Sequence, residues 1–152
     1  MATGWWESFG SVSWTTREDV DSAALIDSDG RVVDVPEDLW NSIVVPQTPS
    51  GTAHVLVHLG RWGLYNRSIT LSAPCTLRNV LTCLHDFYRS RILDEKSIED
   101  LEDDDVFDYK VRVVERLRTG ENPANIELMG DRVYFEGVHH VKGDVYEIEL
   151  GS

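Results

Sequence analysis

The chain has 152 residues, 41% hydrophobic and 27% charged, with 27 acids against 14 bases and a formal net charge of -13. That length fits one domain able to bury roughly two-thirds of its unfolded surface, enough for a core without staples. So acidic a surface repels phosphate backbones and anionic headgroups, which argues against nucleic acid and membrane and favours a basic protein surface or a divalent cation.

The opening residues, Met1-Ala2-Thr3-Gly4-Trp5-Trp6-Glu7, lack the basic and apolar regions of a secretory leader. No stretch reaches the roughly 18 apolar residues of a membrane span. The expectation is a soluble, intracellular domain, where Cys75 and Cys83 stay reduced. If both sit on one helix, eight residues separate them by about 12 Å along the axis, too far for a disulfide.

Residues 1–22 place Trp5, Trp6, Phe9, Val12 and Trp14 among Ser, Thr and Gly. They read as an aromatic N-terminal arm ahead of a single α+β domain over 23–152. The arm is either pinned by its rings or a terminus with an exposed patch. Residues 23–26 and 31–35 flank Asp27-Ser28-Asp29-Gly30, a turn signal that predicts a hairpin. Pro36 followed by Glu37 and Asp38 opens a short helical turn with Leu39, Trp40 and Ile43 on its apolar side. Residues 46–52 are a loop by composition.

Residues 54–59 read as a strand, broken at Gly60-Arg61-Trp62-Gly63, with 68–71 as its continuation or partner. The period then changes from two to 3.6. Thr76 caps a helix whose inward positions are Leu77, Val80, Leu81, Leu84 and Tyr88, with Arg89 and Arg91 near its end. A shorter helix follows, capped by Asp94 or Ser97, with Ile98 and Leu101 inward.

Residues 104–119 fit two periods. Phe107, Tyr109, Val111 and Val113 alternate as in a strand, whereas Val106, Tyr109, Val113, Val114 and Leu117 match a helix. The charges favour the helix, with Asp103, Asp104 and Asp105 at its start, Arg112, Arg116 and Arg118 towards its end, and Gly120 closing it. The remainder reads as β structure: a hairpin of 126–129 and 132–135 around Gly130-Asp131, then a strand over 144–150 of uncertain register. The whole predicts an α+β fold, with an antiparallel or mixed sheet of about five to seven strands and two or three helices on one side.

Two stretches also resemble a known family. Thr76-Leu77-Arg78-Asn79-Val80-Leu81 with Leu84-His85-Asp86-Phe87 is similar to a T-(I/L)-R-D-V-L-x-x-(I/L)-H-x-F helix. Residues 129–138 and 143–150 are similar to L-G-x-R-T-x-F-x-G-L followed by D-V-W-E-L-x-L. Together they resemble a domain family of unknown function widespread in mushroom-forming fungi, over roughly residues 69–150. Asn79, Val133 and Tyr146 depart from that pattern. The resemblance implies an intracellular α+β domain and brings no catalytic residue with it.

Chemistry-bearing patterns fail on geometry. His54 and His58 share a face of an extended strand but lie about 13 Å apart, so one metal ion cannot take both. Cys83 and His85 are two apart on a helix and do not face each other, which denies a thiol its base. His139 and His140 point oppositely if extended. No phosphate loop, nucleophile elbow or paired-cysteine motif occurs, and no catalytic residue, cofactor or metal is expected.

The candidate partner-binding residues are Trp5, Trp6 and Trp62, rigid rings near glycines, and the acids Glu99, Asp100, Glu102, Asp103, Asp104 and Asp105. These acids equally suit a solvated helix start. The leading expectation is a non-catalytic interaction or structural domain whose partner is a protein, basic or itself. The alternatives are a small enzyme built on His54, His58, His85 or His139, and an acidic mimic of nucleic acid.

Overall fold

The computed structural model describes residues 11–60, 65–102 and 108–151. It is α+β, with strands in three sheets rather than the single five- to seven-stranded sheet expected. Strands β1 (Ser11–Ser13), β2 (Ala24–Ile26) and β3 (Val32–Asp34) form an antiparallel meander. Strands β4 (Ile43–Val45) and β7 (Cys75–Thr76) make a two-stranded ladder. The largest sheet is mixed, in the order β6-β5-β9-β8: β5 (Thr52–Val57) runs antiparallel to β6 (Arg67–Ser72) and parallel to β9 (Val145–Gly151), whose other neighbour is β8 (Tyr134–Lys142). The first and last sheets join edge to edge. Thr16 N–H donates to the Val133 carbonyl and Phe135 N–H to the Trp14 carbonyl, both at 2.9 Å.

The principal helix, α2 (Leu77–Arg89), follows the short α1 (Glu37–Trp40). Its N-terminus is a capping box, in which Thr76 Oγ1 accepts from Asn79 N–H at 3.1 Å and Asn79 Oδ1 accepts from Thr76 N–H at 3.0 Å. Leu77, Val80, Leu81, Leu84 and Tyr88 are its buried residues, the stripe expected from the spacing. They share one apolar cluster with Val55, Val57, Val138, Tyr146, Ile148 and Leu150 from the large sheet. Tyr88 reaches furthest, its hydroxyl donating to the His58 carbonyl at 2.5 Å.

The 27–30 turn forms as expected. Asp27 Oδ1 accepts from the N–H groups of Asp29 and Arg31, both at 2.9 Å, and Gly30 takes φ +80°. Within the ambiguous 104–119 stretch, the described residues form helix α3 (Tyr109–Arg118), with Asp108 at its N-cap and no acid in its first turn; Asp104 and Asp105 lie outside the described residues. Gly120 N–H bonds to the Leu117 carbonyl and Glu121 N–H to the Arg116 carbonyl, a Schellman stop made possible by Gly120 at φ +84°.

Several expectations are corrected. Residues 125–128 form a 3-10 turn, not a strand, because Glu127 folds back to accept from Ala124 N–H at 2.7 Å. The second hairpin therefore lies later, as β8 and β9 around Gly143. Along β9 the inward residues are Tyr146, Ile148 and Leu150, so the alternation is regular once Tyr146 counts as core. Ile43 leaves the apolar side of α1 for β4 and is exposed. Cys75 lies on β7, ahead of the helix that carries Cys83. Trp14 is buried, with its indole N–H donating to the Asp19 carbonyl at 3.1 Å.

Packing and capping of α2 separate by magnitude. Leu84→Ala removes a side chain that is 1% exposed and is expected to lower unfolding free energy by about 2–5 kcal/mol. Thr76→Ala removes one capping acceptor and is expected to lower it by about 1 kcal/mol. Urea denaturation of both variants measures the two losses. A larger loss at Thr76 would show that the cap, not the buried stripe, holds the helix.

Candidate functional site

The segment 94–101 begins with Asp94, whose Oδ1 accepts from Ser97 N–H at 2.9 Å and starts the 3-10 turn Glu95–Ile98. Ile98 and Leu101 point into the core and fix one side of the segment. Arg67 on β6 fixes the other. Its guanidinium donates to both Asp100 oxygens at 2.7 and 2.9 Å and to the Ser97 carbonyl at 2.9 Å. This fork is geometrically stronger than a lone surface ion pair. Hydrogen bonding to Arg67 holds the Asp100 carboxyl below its usual range.

Helix α3 runs beside this segment. Val113 is its buried residue. Lys110 Nζ donates to the carbonyls of Leu101 at 2.6 Å and Glu99 at 3.2 Å, and Arg118 Nε lies 2.7 Å from Glu95 Oε1. Between the two walls is a groove of about 440 Å³ lined by Glu95, Glu99, Lys110, Val111, Val114, Glu115 and Arg118. Val111 is 42% exposed. Glu95 is paired with Arg118, and Lys110 donates to backbone carbonyls while keeping its charge. Glu99 and Glu115 have no cationic partner among the described residues.

Of the residues singled out from the sequence, Glu99 lines this groove, Asp100 is turned away into the Arg67 clamp, and Glu102 is exposed. Trp5, Trp6, Trp62, Asp103, Asp104 and Asp105 lie outside the described residues. The charge pattern predicts the helix, but not the face of it that lines the groove. Val111, Val114, Glu115 and Arg118 fall at i, i+3, i+4 and i+7, one face of a helix, but Val111 had been counted with an alternating strand pattern.

The histidines take separate places. Strand β5 ends at Val57, so His58 does not share the face of His54. It turns inward, 2% exposed, and stacks on Tyr65 with ring centroids 4.1 Å apart. His54 Nε2 lies 3.8 Å from Asp144 on the outer face of the sheet. His85 lies between Asp86 at 3.3 Å and Asp19 at 3.7 Å, and His139 pairs with Glu149 across β8 and β9. Among the described residues no three His, Cys, Asp or Glu side chains gather as a metal set. No helix there is long and apolar enough to cross a membrane. Comparison with protein-family models, characterised proteins and solved structures finds no match.

Both cysteines are free thiols. Burial first, then the neighbouring Cys75 and Asp86, push the Cys83 thiol up to about 11. At that value roughly one Cys83 in a thousand is thiolate at about pH 8, so native protein should react with iodoacetamide far more slowly than urea-unfolded protein. Mass spectrometry of the alkylated peptide reads this, and equal rates in the two states would refute the half-buried, desolvated placement of Cys83.

The Arg67 clamp predicts an acid limb. A carboxyl whose folded value is depressed contributes stability that is present above the unfolded value, near pH 4, and is lost as pH falls through the folded one. Arg67→Met should therefore reduce stability at neutral pH and narrow its gap to wild type below about pH 4. Thermal melts across that window test it, and a gap that is constant with pH would exclude Asp100 as the partner that matters.

Proposed function

We propose that this chain is a protein-interaction domain that holds a segment of another protein in the groove between residues 94–101 and α3. The observation that supports this most directly is an apolar lining kept open to solvent by polar walls that are already fixed. The Arg67 clamp holds one wall, and the Lys110 and Arg118 contacts tie it to the other. Binding to a preformed site avoids much of the entropy of ordering side chains, which otherwise offsets interface contacts. The groove volume falls within the range of roughly 300–1,000 Å³ usual for ligand sites, and its valines offer the centre and its charges the rim of a small interface.

Membership of the fungal domain family resembled by residues 69–150 belongs to the same proposal, as does an intracellular location. That family supplies no catalytic residue to transfer, in keeping with a binding role.

Selection of peptides from a random phage-displayed library against the immobilised protein tests the groove. The enriched peptides should bind Val111→Asp at least about tenfold more weakly, because a carboxylate then sits in the apolar lining. They should bind His54→Ala, changed on the outer face of the large sheet, as wild type does. Val111 is exposed enough for the substitution to leave the fold intact, which a thermal melt confirms. Peptides that bind Val111→Asp as tightly as wild type would place the interaction elsewhere and end the proposal.

A further inference from the structure

Charge in the groove is distributed in a way that selects among possible occupants. Three carboxylates and two cations line it. The cations are already engaged within the groove but keep their charge: Arg118, 69% exposed, pairs with Glu95 at 2.7 Å, and Lys110 donates to the carbonyls of Leu101 and Glu99 at 2.6 and 3.2 Å, so three carboxylates against two cations leave the lining net acidic. Glu99 stands on the turn wall and Glu115 on the helix wall, both without a cationic partner among the described residues. Val111 and Val114 belong to the same lining. An acidic or neutral segment could cover the valines but would leave two carboxylates losing water for no partner, which is costly.

We infer that the occupant is a basic amphipathic segment of another protein, with aliphatic side chains against Val111 and Val114 and flanking Arg or Lys at Glu99 and Glu115. The inference rests on the groove reading above and specifies the partner. Arginine suits the site better than lysine, because its planar fork can bind a carboxylate through two parallel hydrogen bonds. The net charge of -13 steers such a segment at long range but favours no particular spot on the surface. Selection of this groove depends on the valines and the two carboxylates together.

The test measures fluorescence anisotropy of three labelled peptides of one length and one leucine pattern, with Arg, Gln or Glu at the polar positions. The Leu/Arg peptide should bind most tightly, weaken as salt rises, and lose about tenfold in affinity against the Glu99→Gln, Glu115→Gln double variant. Glu115→Gln alone should show a smaller loss in the same direction, and the Leu/Glu peptide should not bind. If the Leu/Gln peptide binds as tightly as Leu/Arg and the double variant changes nothing, while Val111→Asp still abolishes binding, the basic partner is refuted and the groove reading stands. If Val111→Asp leaves Leu/Arg binding unchanged, or none of the peptides binds at millimolar concentration, the groove reading fails and the inference with it.

Discussion

The fold depends on the burial of one helical face. The inward residues of α2 join β5, β9 and β8 in a single apolar cluster. Each fully buried Leu or Val there contributes about 1.5–3 kcal/mol relative to exposure, before the entropy of ordering the chain is set against it. Tyr88 gives that packing a direction. Its ring is fully buried and its hydroxyl donates to the His58 carbonyl, just beyond the end of β5. A buried carbonyl that has left the β ladder needs a partner, and the helix supplies it. Position of helix and position of strand end are thereby coupled.

The periphery is organised around that centre by polar contacts from arginine. Arg67 ties the 94–101 segment to β6, and the guanidinium of Arg78 lies 4.4 Å over the ring of Trp40 while pairing with Asp21. Arg89 donates to the Arg17 carbonyl, and Arg17 in turn reaches the Gly130 carbonyl. With 14 bases against 27 acids, cations are scarce, and those named here are bound to particular carboxylates or carbonyls. A corollary is that carboxylates left over define where the surface is electrostatically open. Glu99 and Glu115 are two of these, and the valines beside them make the groove chemically different from the rest of the acidic surface.

Much of the fold was legible in the sequence. The α2 stripe, the Thr76 cap, the 27–30 turn, and the Gly120 stop each follow from interactions within a few residues, so spacing and residue type suffice to predict them. The candidate site was less legible. Glu99 was recognisable as an acid in a run, but Asp100 beside it serves Arg67, more than thirty residues earlier in the chain, and nothing local distinguishes the two. Val111 fits a strand or a helix equally until the whole of α3 is assigned. Residues 126–129 looked like a strand because Ile126, Leu128 and Met129 are apolar, yet the carboxylate of Glu127 closes a turn.

What the sequence by itself determined is therefore local: the α+β class, the principal helix and its buried face, the first hairpin, and an acidity that constrains partners. Only the tertiary structure decided that the strands divide into three sheets, that β5 lies parallel to β9, and that His58 is interior while His54 is not. It alone opposed Glu99 to Glu115 across an apolar lining. The physical reason is that helices, caps and turns are fixed by contacts a few residues apart, whereas sheet partners and grooves are fixed by contacts distant in sequence. Those depend on how much apolar surface the whole chain can bury at once.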